Sequence, residues 1–313
     1  MSKPKVYIDG QEGTTGLQIY ERLGCRDDIE LLRISDDKRK DLTERGKFLN
    51  AADLVFLCLP DAAAVEAASL IENPNTRIID CSTAHRTAEG WTYGFPELTG
   101  QREQIRTAGR VANPGCYATG FLSLVRPLVE KGVLPVNARV TCHALSGYTG
   151  AGKKAIAQYG DPDRDPELDS PRHYAVGLSH KHLPEMAKVA RLERKPLFMP
   201  MICDFPQGMV VTVPLWLDGL NGAQSIESLR ALYAGYYQGS SVVELRPAEA
   251  PACGFIGSNN LAGKDTLQIF VNGNEEQVML SARLDNLGKG ASGAAVQNMN
   301  LMLDFEETKG LSL

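Results

Sequence analysis

Val6-Tyr7-Ile8-Asp9-Gly10-Gln11-Glu12-Gly13-Thr14-Thr15-Gly16-Leu17 is the stretch that decides the fold: a short apolar strand runs into glycines spaced G-x-x-G-x-x-G, and Thr15 to Leu23 follows with helical spacing. Strand, glycine turn and helix in that order open a doubly wound, Rossmann-type parallel sheet. There the glycines permit a tight turn and bring the backbone close to a pyrophosphate held at the helix N-terminus. The spacing differs from the common dinucleotide pattern, and a turn that merely connects two elements would carry similar glycines, so the context has to decide. Working outward, Ile29 to Ile34 reads as the second strand, Ala52 to Leu59 as a nearly uninterrupted apolar strand, Ala62 to Ile71 as an Ala-rich helix and Arg77 to Cys81 as another strand. Such alternation predicts α/β architecture with a parallel sheet covered on both faces. After the second strand come Ser35, Asp36, Asp37, Lys38, Arg39 and Lys40. A hydroxyl and cations suit the 2′-phosphate of NADP, whereas Asp36 suits a ribose hydroxyl. NADP(H) is the expected cofactor, held by Gly10, Gly13, Thr14, Thr15, Gly16, Ser35, Lys38 and Arg39.

Further along, the pattern changes. Ala138 to Leu145, Met209 to Leu217, Thr266 to Asn272 and Gln277 to Leu284 read as longer strands, with helical patterns at Pro184 to Glu193 and Ile226 to Tyr237. They predict a second α+β domain built on a mainly antiparallel sheet. Gly288 to Phe305 reads as a closing helix that packs back on the first domain.

At 313 residues and 43% hydrophobic content, the chain is long enough for two cores. Its net charge of −5 is spread over mixed signs without a basic run, which argues against nucleic acid or an anionic membrane as partner. The seven cysteines, Cys25, Cys58, Cys81, Cys116, Cys142, Cys203 and Cys253, include no Cys-x-x-Cys pair, so neither a disulfide framework nor a zinc knuckle is expected. No apolar stretch approaches the ~20 residues of a membrane span, and the chain reads as a mature cytoplasmic protein.

Asn113-Pro114-Gly115-Cys116-Tyr117-Ala118-Thr119-Gly120 is the segment that carries chemistry. Phe121, Leu124, Val125, Leu128 and Val129 recur at helical spacing behind it, predicting a helix that starts at Cys116, is kinked at Pro127 and ends near Gly132. Unpaired amides at a helix start stabilise a thiolate, so Cys116 reads as a nucleophile. Asn113 is a plausible donor to an oxyanion there. A second cluster, Ser179-His180-Lys181-His182-Leu183-Pro184-Glu185, offers imidazoles for proton transfer and a carboxylate to orient one of them. His182 is the favoured acid and base, with His180 and Glu185 in support; no further ligand cluster accompanies the His-x-His, and no metal is expected.

Two more loops are candidates for substrate. Ser146-Gly147-Tyr148-Thr149-Gly150-Ala151-Gly152-Lys153-Lys154 reads either as a phosphate-holding loop, through Ser146, Gly147 and Lys153, or as a flexible linker after a strand. Arg86, in Ser82-Thr83-Ala84-His85-Arg86 at the carboxyl end of a parallel strand, reads either as a carboxylate grip or as a solvated arginine.

These segments, together with Asp80 to Arg86, Tyr93-Gly94-Phe95-Pro96-Glu97-Leu98 and Asp285-Asn286-Leu287-Gly288-Lys289-Gly290-Ala291, resemble the N-acetyl-γ-glutamyl-phosphate reductases over nearly the whole chain. The likeness is to their shorter form, within the aspartate-semialdehyde dehydrogenase-like superfamily. It departs from the longer form in its first glycines and around Phe198-Met199-Pro200-Met201-Ile202, where a histidine often follows the proline. The resemblance implies an NADP-binding Rossmann domain over 1–115, completed by a C-terminal helix at 288–313, and a catalytic and dimerisation α+β domain over 116–287. It adds Asn286 to the cofactor-binding set and implies a homodimer or homotetramer. The implied activity is NADPH-dependent reduction of N-acetyl-L-glutamyl 5-phosphate to the semialdehyde and phosphate through a thioester on Cys116, in arginine biosynthesis. Two alternatives stand beside it: a phosphorylating dehydrogenase for another acyl phosphate, such as aspartyl phosphate, and a non-catalytic NADP-binding redox sensor.

Overall fold

The computed structural model describes residues 3–313; Met1 and Ser2, within the expected 1–115 domain, lie outside the described residues. The chain divides into two compact units. The first comprises the chain to Pro96, Gly100–Pro114 and Ala291–Leu311; the second comprises Glu97–Thr99, Gly115–Gly290 and Ser312–Leu313.

In the first unit the order is β1 (Lys5–Asp9), α1 (Thr14–Gly24), β2 (Glu30–Leu32), α2 (Leu42–Ala51), β3 (Leu54–Leu57), α3 (Asp61–Ser69), β4 (Arg77–Asp80), β5 (Thr92–Tyr93), α4 (Gln101–Thr107) and β6 (Arg110–Ala112). The six strands form one parallel sheet in the order β2-β1-β3-β4-β6-β5. Crossing out and back around β1 is the doubly wound topology that the alternation predicted. Apolar residues cover both faces: Val6, Ile8, Leu54 and Phe56 pack toward α1 and the C-terminal helix, Tyr7, Val55 and Leu57 toward α2 and α3. Complete burial of Leu54 to Leu57 explains their continuous apolar run.

The second unit contains α5 (Cys116–Glu130), β7 (Thr141–Gly147), α6 (Lys153–Gly160), β8 (Arg172–His173), α7 (Leu183–Ala190), β9 (Leu197–Cys203), β10 (Met209–Trp216), α8 (Ile226–Tyr236), β11 (Val243–Leu245), β12 (Leu267–Gly273) and β13 (Gln277–Leu284). Its sheet runs β11-β12-β13-β10-β7-β9-β8. The β12–β13, β10–β13, β10–β7 and β8–β9 pairs are antiparallel, whereas β11–β12 and β7–β9 are parallel. Helix α5 lies against β10, β13 and α7, which places its start in the interior of the unit.

Two details refine the sequence reading. Helix α5 runs on through Pro127 to Glu130, ending close to the expected Gly132. A proline lacks the N–H that would bond the carbonyl four residues back, and here that carbonyl, on Ser123, instead accepts the Tyr237 hydroxyl at 2.7 Å. The closing helix also starts later than expected: Gly288–Ser292 is a π turn, and α9 spans Gly293–Met302. Beyond Met302 the chain turns, with Asp304 in the left-handed region at φ 56°.

Candidate active site

In the first unit the glycine turn is built as its sequence requires. Gly10 adopts φ +90°, and a Cβ there would stand 2.4 Å from the Cys58 carbonyl oxygen; one on Gly16 would stand 2.3 Å from Gly10 O. Gly13 is the N-cap of α1 in extended conformation, with no side-chain cap and no acid in the first turn. The amides of Thr14, Thr15 and Gly16 thus head the helix without an intrahelical acceptor, an arrangement suited to phosphate. Beside the turn a cleft of about 560 Å³ is lined by Gly10, Gln11, Glu12, Ile34, Arg39, Lys40 and Arg45, among others. Arg39 reaches Glu12 at 3.1 Å, which brings a predicted phosphate cation to the glycine turn. Ser35 lies in the turn that Lys38 N–H closes on Ser35 O at 3.0 Å, and its side chain bonds Asp37, lowering that carboxyl. The residues present therefore fit a dinucleotide. Lys40, one of the cations noted after the second strand, lines the cleft too; Arg45 is a cleft residue that the sequence reading did not select, and it is held by the buried Asp9 at 2.7 Å.

Two predicted substrate residues of this unit are committed to the backbone. Arg86 Nε donates to Asn113 O at 2.9 Å and its Nη2 to Cys81 O at 3.3 Å, tying the chain after β4 to the chain after β6. Asn113, 1% exposed, donates through Nδ2 to Ala291 O and accepts at Oδ1 from Asn298, each at 3.0 Å. Nearby, the buried Asp80 carboxylate accepts the Ser82 hydroxyl at 2.7 Å and lies 2.6 Å from His85 Nδ1.

The second unit gathers the predicted thiol and imidazole residues. Cys116 opens α5, capped only by Gly115 in extended conformation. Glu185, 2% exposed in the first turn of α7, accepts the Gly115 N–H at Oε1 over 2.9 Å. The carboxylate expected to orient a histidine thus also fixes the turn that presents the thiol. His182 N–H donates to His180 Nδ1 at 3.1 Å, so that nitrogen carries the lone pair, and His180 Nε2 faces the Tyr174 hydroxyl at 3.4 Å. The two imidazoles stand 4.7 Å apart, edge to face. His180 is thereby engaged at both nitrogens, which favours His182 for proton transfer.

Tyr117 connects these groups, and nothing but its adjacency to Cys116 marked it in the sequence. Its ring lies 5.8 Å from His180, 5.9 Å from His182, 6.4 Å from Tyr174 and 5.2 Å from Phe198. Burial pushes its phenol well above the ordinary range, with Tyr174 and Cys116 adding to the shift, while a bond to Ser146 opposes it. Burial likewise raises Tyr174, and the Cys116 charge adds to it. Tyr117, the residue after the thiol, thus sits in an aromatic cluster with few but specific polar groups. Tyr174 and Phe198 carry no sequence signal, since tertiary packing alone brings them to the Tyr117 ring.

The loop 146–154 is no flexible linker. Ser146 and Gly147 end β7, a 3-10 turn spans Tyr148–Ala151, and Lys153 begins α6. Gly147, Tyr148 and Thr149 donate their N–H groups to Gly208, Phe205 and Pro206. Those amides are spent, which leaves the start of α6, with exposed Lys153, as the part suited to an anion. Asn286, 1% exposed, clamps the same loop: Nδ2 donates to the Thr149 hydroxyl at 3.0 Å, and Oδ1 accepts Gly208 N–H at 2.8 Å.

A parallel-sheet unit with a phosphate-ready glycine turn, and an α+β unit with a thiol at a helix start and two imidazoles beside the next residue, define a two-domain nicotinamide-dependent oxidoreductase. Residues 5–108 match the family described as semialdehyde dehydrogenase, NAD binding domain, and residues 116–286 match its dimerisation domain. The chain belongs to the semialdehyde dehydrogenase family and, within it, to the N-acetyl-γ-glutamyl-phosphate reductases. It is 49% identical to N-acetyl-gamma-glutamyl-phosphate reductase 2 of Nostoc sp. over 99% of this chain and 100% of that one. It is 52% identical to the Brucella ovis N-acetyl-gamma-glutamyl-phosphate reductase over 96% of this chain and 99% of that one. Among solved structures, aspartate semialdehyde dehydrogenase II of Vibrio cholerae has the same fold at 16% identity, with a TM-score of 0.70 over 97% of this chain and 99% of that one. The Francisella tularensis aspartate semialdehyde dehydrogenase aligns with a TM-score of 0.71 at 14% identity, over 95% and 99% of the two chains. Among the described residues no helix is long and apolar enough to cross a membrane.

Proposed function

We propose that this chain reduces N-acetyl-L-glutamyl 5-phosphate to N-acetyl-L-glutamate 5-semialdehyde with release of phosphate, serving arginine biosynthesis in the cytoplasm as a homodimer or homotetramer. The observation that carries the reading is the Cys116 thiol at an uncapped helix start, followed by Tyr117, whose ring lies beside His180 and His182. Cys116 attacks the acyl carbon; the carbon–oxygen bond to phosphate breaks, and a thioester forms on the sulfur. Amides at the start of α5 stabilise the oxyanion of that step. When bound, NADPH supplies the hydride that the thioester carbon accepts. His182 protonates the oxyanion left by that transfer and takes the proton back as the resulting thiohemiacetal on Cys116 collapses: the carbon–sulfur bond breaks, the carbonyl reforms and the Cys116 thiolate leaves. Glu185 holds the turn before the thiol, and His180 fixes the turn that carries His182.

The glycine turn and the first turn of α1 would hold the cofactor pyrophosphate, and Ser35, Lys38 and Arg39 favour NADP. Arg86, Asn113, Ser146, Gly147 and Lys153 are retained as substrate-side residues, with Lys153 at the α6 start the best suited to phosphate. The test is phosphate-dependent reduction of NADP⁺ by N-acetylglutamate semialdehyde, with aspartate semialdehyde as control. Turnover only with the acetylated aldehyde supports the assignment. Turnover only with aspartate semialdehyde replaces the substrate and keeps the chemistry, and turnover with neither leaves a cofactor-binding redox sensor as the better reading.

A further inference from the structure

Glu97 and Lys289, both residues of the second unit, form a buried ion pair. They are 7% and 1% exposed, and the ammonium donates to Oε1 at 3.0 Å and to Oε2 at 2.8 Å. Glu97 comes from the three-residue piece, Glu97–Thr99, that the chain contributes to this unit between two stretches of the other. Lys289 stands in the π turn Gly288–Ser292, and single π turns are rare and recur at functional sites. Its neighbour Gly290 packs on the thiol residue so closely that a Cβ there would lie 2.8 Å from Cys116 Cβ. Asp285 organises the other end of the turn: its Oδ1 accepts Leu287 N–H at 2.8 Å and its carbonyl accepts Gly290 N–H at 2.9 Å. The Glu97 charge also reaches Tyr237, whose hydroxyl donates to the Ser123 carbonyl of α5.

A buried ion pair must offset the desolvation of two charges and is weak support for stability as such. This one pins the backbone that forms a wall against the nucleophile. We propose that the Glu97–Lys289 pair is a positioning device: it clamps the π turn so that Gly290 limits the rotamers open to the Cys116 side chain. Both residues act through Gly290. The inference rests on Cys116 being the nucleophile of the proposed reaction.

The test is the double variant E97Q/K289M, which removes both charges together and leaves no lone buried ion to unfold the protein. Misplacement of a reacting group by about 1 Å costs up to ~10²-fold, so kcat falls roughly 10- to 100-fold while KM for acyl phosphate stays within about threefold. Iodoacetamide alkylation of Cys116, followed on its own peptide by mass spectrometry, becomes several-fold faster with an unchanged pH midpoint. K289R, which keeps the pair, retains most of kcat. A double variant with kcat within about threefold of the parent overturns the proposal. So does a loss of kcat with unaltered alkylation, which marks a purely structural pair, and so does a displaced midpoint, which marks direct electrostatic action on the thiolate. Should the double variant not fold, Gly290→Ala disturbs the same contact, and unchanged kcat and alkylation in that protein overturn the idea equally. Alkylation needs no substrate, so it still decides the matter if the acyl-phosphate assignment fails.

Discussion

The starts of α1 and α5 share one backbone device and set it in opposite surroundings. Each is capped by a glycine in extended conformation, Gly13 or Gly115, with no side-chain cap and no acid in the first turn. Along α1 only Gly16, Ile19 and Leu23 are buried, so one side of the helix meets solvent, and the glycine turn that leads into it lines a cleft. Along α5 every residue from Tyr117 to Val129 is buried, and the Gly115 amide is already taken by Glu185. A helix start that binds an exchanging phosphate needs access, whereas one that presents a nucleophile needs immobility. The same uncapped terminus becomes a ligand site or a reactive site according to what surrounds it.

That contrast breaks most sharply at the nucleophile. Cys116→Ala is expected to lower phosphate-dependent turnover by at least ~10³-fold with native melting behaviour, because no other group can carry the acyl intermediate. Residual turnover near that of the parent, read by NADPH absorbance, would show that the α5 start is not the reactive one. His182→Asn should cost ~10²- to 10³-fold in kcat and His180→Asn less, the order that tells proton transfer from support of a turn. Equal losses would erase the division drawn from the His180 Nδ1 contact.

At the other helix start the effect should fall on binding. Gly10→Ala places a Cβ against the Cys58 carbonyl at a left-handed φ, a strain of about 1–3 kcal/mol. KM for NADPH is expected to rise roughly tenfold while the rate of Cys116 alkylation stays as it was. A loss confined to kcat would contradict the assignment of this turn to cofactor.

The smallest effect concerns what keeps α5 immobile. Tyr237→Phe leaves the Ser123 carbonyl, which Pro127 cannot serve, without its donor, at a cost of about 1–3 kcal/mol in urea unfolding. The buried phenols of Tyr233 and Tyr237 sit well above their ordinary value of 10.0, chiefly through burial. Their contribution to stability is whole below pH ~10, where both folded and unfolded phenols are neutral. Above it the unfolded chain ionises first, and stability is lost as pH rises toward the folded values. Tyr237→Phe should flatten that alkaline loss; an unchanged slope would assign it to other groups.

Periodicity announced the long elements and passed over the short ones. Strands β5, β8 and β11 have two or three residues and exist through pairing with distant partners, which no local pattern encodes. Strand β9 was hidden by Pro200, since a proline argues against a strand inside a sheet. It nevertheless sits between β7 and β8. Helix α2 escaped because Leu42 is exposed and only Arg45 and Leu49 are buried, so its apolar stripe is faint.

The sequence by itself determined what depends on neighbouring residues: the glycine turn that only Gly10 and Gly16 can make, the thiol at a helix start, and the alternation that demands a parallel sheet. The tertiary structure alone decided how those residues are used. It committed Asn113 and Asn286 to clamps, spent the amides of 147–149 on the 205–208 segment, and brought Tyr174 and Phe198 to the Tyr117 ring beside the thiol residue. It also paired Glu97 with a lysine nearly two hundred residues away. Such pairings depend on which buried polar groups find partners, and a buried group must find one wherever the chain happens to bring it.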